Sequence, residues 1–251
     1  MNALAVARLD LQRLLVRPFA WTLAAIALGA LAWMFLINLN AFMLAQPKLA
    51  ADAGGPGFTD LVAVPHLLAY VQLCLLLAPL ITMHALAGER RAHTLPLLFA
   101  AGLSPARIVL GKFLSALIYL LALLVLVALI PVLPAQATTP DWGQFGAALL
   151  GCTLCIAALT AIGIAASAFS SHPAVAAIAA LLIVLILAML DAGAHATGIG
   201  IGWLAYLALP THLTPFMHGL VASVDIIYFL LLIALALSFA VRRLAADKVR
   251  G

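Results

Sequence analysis

From Phe19 to Leu44 the chain runs without one charged side chain, and apolar runs of similar length recur to its end. About 20 apolar residues in a helix cross the roughly 30 Å hydrocarbon layer of a bilayer. Only 8% of the 251 residues are charged and 67% are hydrophobic, so no soluble core of this size could bury such runs. They are continuously apolar and do not alternate with period 2, which favours helices over a barrel. The expected fold is an all-α integral membrane domain spanning residues 1–251. The net charge of +4 is a topology signal, because no basic stripe interleaved with aromatics marks a nucleic-acid surface.

Residues 2–17 read as a moderately amphipathic helix lying in the interface. Leu4, Ala7, Leu11, Leu14 and Leu15 share one face, and Asn2, Arg13 and Arg17 lie across from it. The apolar stretch behind it is too long for the h-region of a cleaved signal peptide. Six spans are expected, at about Phe19–Leu44, Leu61–Ala87, Ile108–Leu133, Phe145–Phe169, Ala174–Leu190 and Asp225–Val241. Residues 191–224 are apolar enough to suggest a seventh, but charge decides against it. With six spans, eleven of the twelve Lys and Arg fall on one side and only Lys48 lies opposite. The region then reads as a re-entrant pair of half-helices containing Gly200 and Gly202 and turning between Pro210 and Pro215. His218 and Gly219 follow the turn. Both termini are expected in the cytoplasm, in the inner membrane.

A third of the basic residues fall in "GERRAHTLPLLFAAGLSPARIVLGKF", Gly88 to Phe113. Topology alone explains its arginines. Its middle, "TLPLLFAAGL", is too short to cross a bilayer and suits a short interfacial helix framed by Glu89, Arg90 and Arg91 and by Arg107 and Lys112. Such a helix would serve a protein partner. "GKF" is no phosphate loop: Ala106 stands where the upstream Gly is needed, and no Ser or Thr follows Lys112. No catalytic residues can be named.

The same segment resembles the loop of type 2 ABC-exporter permeases. Their pattern is Gly-Glu, basic residues, Gly-Thr-Leu-Glu-Leu-Leu, a Pro-[Leu/Val]-Ser element, then Val-Leu-Gly-Lys-Phe. Glu89, Thr94, Leu95, Leu97, Leu98, Leu103, Ser104 and Val109 to Phe113 fit it, whereas His93 stands for Gly and Pro96 for Glu. "ARLDLQRLLVRPFAW", "FSSHPAVAAIAALLIVL" and "TPFMHGLVASVDIIYF" are similar to the elbow helix, a turn and the last-span entrance of the GldF/NosY-like branch; in the third, Pro215, Phe216, Gly219, Asp225, Tyr228 and Phe229 match. The resemblance implies a second permease copy, most simply a homodimer. It also implies two copies of a separate ATPase carrying the ATP and Mg, and none of either on this chain. ATP-driven motion would enter through residues 88–107, at Glu89, Arg90, Arg91, Thr94, Leu97, Leu98, Leu103 and Arg107, with Ser171 and the elbow as secondary contacts.

Other polar groups carry less. Cys152 and Cys155 share a helix face mid-span, where small residues serve helix packing more often than metal. The Met residues lack ligand spacing, and no metal site is expected. His66, His195, His212 and His218 fall near the outer face, and His84, His93 and His172 near the inner one. Asp225 suits an N-cap. Gln72, Thr153, Thr160 and Ser167 are too few for a multiply charged solute. The spans therefore suit an apolar or amphiphilic cargo, or a transmitter that moves an extracytoplasmic partner protein with no cargo. A secondary transporter would need buried charge pairs or inverted repeats, which are not evident.

Overall fold

The computed structural model describes residues 3–49, 56–134, 138–197 and 206–250, and all regular elements among them are helical. In chain order these are α1 (Ala3–Val16), α2 (Pro18–Leu49), α3 (Val64–Thr82), α4 (Ala87–Arg91), α5 (Leu95–Ala100), α6 (Pro105–Val132), α7 (Trp142–Phe169), α8 (Pro173–Thr197), α9 (Leu209–Met217) and α10 (Ser223–Arg250). A π-helical turn, Thr59–Ala63, leads directly into α3. Among the described residues six segments are long and apolar enough to cross a membrane. The boundaries follow local chemistry. Ser104 Oγ accepts the Arg107 amide and Pro105 takes the first helical position, which starts α6. Asp141 accepts the Gln144 amide and starts α7.

The bundle is built around α7. Seventy-eight per cent of its most apolar window is buried, against 28%, 22% and 28% for α2, α8 and α10. It packs against α3, α6, α8, α9 and α10. Small residues allow this crowding: a Cβ on Gly163 would lie 2.1 Å from Thr82 Oγ1 of α3, and one on Gly151 2.6 Å from Phe216 Cβ of α9. Cys152 and Cys155 are buried in the same helix, with Cys152 Sγ 4.0 Å from the Leu67 carbonyl of α3. Thr82, Thr153 and Thr160 return their hydroxyls to carbonyls of their own helices, which satisfies them without a second partner.

The described part departs from the sequence expectations in two places. The second expected span is present, its helix α3 ending at Thr82 and a turn over 83–86 leading into α4. Residues Pro210 to Pro215 form no turn but lie inside α9. Pro210 occupies its first turn, where no amide bond is lost, and Pro215 sits near its end. The chain reverses after α9 through Gly219 at φ 79°, where the Leu220 and Gly219 amides return to Pro215 and Phe216 in a Schellman arrangement. Asp225 is not an N-cap but lies in the first turn of α10. Gly200 and Gly202 lie outside the described residues.

Candidate functional site

The end of the bundle that gathers α1, α4, α5 and the ends of α7 and α10 carries most of the described charge. There, consecutive residues of α4 reach in opposite directions. Glu89 Oε1 accepts from Lys112 Nζ of α6 at 3.3 Å and Arg13 Nη1 of α1 at 3.5 Å. Its other oxygen accepts from the Thr94 hydroxyl. Lys112, 4% exposed, also donates to Asp10 Oδ2 of α1 at 3.0 Å. Arg90 turns the other way, donating to the Ser170 carbonyl at 3.3 Å and to Asp247 of α10, whose second oxygen lies 3.5 Å from Arg243. Past the apolar span, burial alone would raise the Glu89 carboxyl. Lys112, Thr94 and Arg13 outweigh it and hold the carboxyl below its ordinary value.

Ser167 of α7 adds a further joint. Its hydroxyl accepts the Leu86 and Ala87 amides at 3.0 Å each and donates to the Met83 carbonyl, so it holds the entry to α4. His93 ends α4 at φ 54°, a left-handed conformation that favours Gly. That accounts physically for a glycine in the permease pattern at this point.

The sequence-selected residues separate into two groups. Arg91, Leu97, Arg107 and Ser171 are exposed, with Leu97 at 68%. Glu89, Arg90, Thr94 and Leu98 are half-buried, and Leu103 is buried. Leu97, Leu98, Leu103 and Thr94 line a cleft of about 710 Å³ together with Leu9, Arg13 and Arg17 of α1. Sequence reasoning missed Asp10, Lys112 as the buried hub, and Asp247. The available signals were a lone carboxylate in a basic elbow and an Asp four residues after Arg243.

At the opposite end, α3, α8 and α9 enclose a groove of about 540 Å³. Leu68, Val71, Leu75, Leu213 and Met217 make its walls apolar. Asp60, Gln144 and His218 line its end, where Gln144 Nε2 donates to Asp60 at 2.7 Å and to the Met217 carbonyl at 2.9 Å. Gln72 lines the groove about 12 Å farther along α3 than Val64, at 1.5 Å per residue. Pro210 is a wall residue, and Gly219 packs against Gln144. The wall helix α9 is fastened to α10. His212 Nδ1 lies 2.7 Å from Asp225 Oδ1, its Nε2 lies 2.8 Å from the Tyr206 carbonyl, and its ring stacks on Tyr228 at 3.9 Å. His66 is buried edge-on to Phe35 and takes no part in the groove. Among the described residues no group of three or more His, Cys, Asp or Glu could hold a metal ion.

Six segments long and apolar enough to cross a membrane, an interfacial-type first helix and a charged loop end define, among the described residues, a polytopic membrane protein. Residues 41–228, most of the chain, match the family described as ABC-2 family transporter protein, and the chain belongs to that family. No curated protein matches the chain. Membership makes it the membrane permease of an ABC transporter and implies an ATPase partner.

Proposed function

We propose that this permease couples ATP hydrolysis on separate ATPase subunits to export of an apolar or amphiphilic molecule. The groove between α3, α8 and α9 supports the cargo class. Its apolar walls end in Asp60, Gln144 and His218, so a chain could lie against leucines while a polar head meets the carboxylate and amide. In this reading the charged loop end is cytoplasmic, following the charge bias, and the groove opens outward in an inner membrane. Two copies of the chain would pair, with two ATPases carrying ATP and Mg docked beneath Arg91, Leu97 and Arg107. The likeness to the GldF/NosY-like branch remains part of this proposal.

The test is ATP-dependent movement of a fluorescent single-chain amphiphile in vesicles holding the chain and its ATPase. Leu68→Trp, which narrows the groove at its α3 wall, should cut movement several-fold while leaving ATPase binding intact. Unchanged movement would remove the groove from the path. A second reading has the chain drive an extracytoplasmic partner without cargo, and the fastening of α9 to α10 by His212 and Asp225 favours it, since it gives the outer end a firm platform. ATP turnover that depends on an added outer protein, with no amphiphile moved, would establish that reading.

A further inference from the structure

We propose that the end of α10 is part of the ATPase-docking surface, with Asp247 as a positioning residue and Lys248 as a contact; this rests on the permease reading above. Arg90 belongs to the loop that would meet the ATPase, yet its guanidinium is already engaged by Asp247 and the Ser170 carbonyl. It therefore does not serve as a free cation for the partner. It fixes the loop against the α7–α8 turn on one side and α10 on the other. α10 has the length for this: its 28 residues extend about 42 Å, against a hydrocarbon layer of roughly 30 Å. Its last turns consequently stand beyond the layer, level with the loop.

Beside this joint lies an open groove of about 480 Å³, lined by His93, Pro96, Phe99, Arg243 and Lys248 over buried Leu95. Arg90 and Asp247 neutralise one another there, and Arg243 and Lys248 remain as net positive charge above an apolar floor. The occupant this suits is a segment of the ATPase in which a carboxylate adjoins an apolar side chain. Charge complementarity of this kind governs association rate and salt response. Topology charge alone explains why cations sit on this side, but not why one carboxylate in the last turns of α10 is spent on Arg90.

The test uses the full-length chain in nanodiscs and the purified ATPase subunit recovered with the wild type, with binding measured across a salt series. Lys248 is exposed, so Lys248→Glu leaves the fold intact. It should weaken binding about tenfold and flatten the salt dependence. Arg90→Asp and Asp247→Arg should each lower ATPase stimulation by the permease, and the two together should recover most of it. Wild-type affinity in Lys248→Glu overturns the contact, and a swapped pair no better than its single variants overturns the positioning role. A wild-type chain that binds no ATPase at all overturns the proposed coupling to a separate ATPase, a result distinct from either.

Discussion

Replacing Lys112 by Met keeps the length and apolar stem of the side chain and removes only the cation. Lys112 is 4% exposed and holds two carboxylates, Asp10 at 3.0 Å and Glu89 at 3.3 Å. Removing one partner of a buried pair costs about 3–5 kcal/mol. Here the cost is smaller, because both carboxylates keep some solvent and Arg13 stays at 3.7 and 3.5 Å. A loss of about 2–3 kcal/mol is expected after that discount. For a chain of this size it lowers Tm by about 5–10 °C. Cys74, Cys152 and Cys155 are free and buried, so a thiol-reactive dye reports melting without added labels. Glu89 sets the pH response. Its depressed carboxyl contributes stability that is complete above the ordinary carboxylate value and disappears as pH falls through the depressed one. Wild type and Lys112→Met should therefore converge in acid. A neutral-pH Tm within about 2 °C of wild type would refute the hub assignment.

Two further substitutions probe other joints. His93→Gly should leave folding intact or raise stability by about 1 kcal/mol, since it relieves a left-handed backbone; a lower Tm would show that the imidazole itself matters. His212→Ala leaves the Asp225 carboxylate and Tyr206 carbonyl without their shared partner. It should speed amide exchange across α9 by about tenfold or more while sparing α7, and uniform acceleration would instead mean global destabilisation.

Hydropathy made the six spans legible because each is longer and more apolar than a soluble core tolerates. It could not say which span occupies the centre. The identity of α7 as the hub depends on where Gly151 and Gly163 point, and mean hydropathy is blind to direction. The loop at Gly88–Phe113 was legible as a unit, but the facing of its residues was not: Arg90 and Asp247 meet across 157 positions of sequence. Proline led the reading astray at Pro210–Pro215. Its position within α9, rather than its presence, determines whether it breaks a helix. Asp225 likewise carried the right charge for a helix start, but its partner is an imidazole on another helix.

The burial of α7 separates the molecule into residues that answer to lipid and residues that answer only to one another. Hydrophobic mismatch acts on surfaces that lipid touches. A thinner or thicker bilayer would therefore tilt α2, α8 and α10 first, and α7 would register the change only through their movement. The same partition should shape sequence drift. On the perimeter one aliphatic residue can replace another freely, whereas at Gly151 and Gly163 even a methyl group meets a neighbour that has nowhere to go.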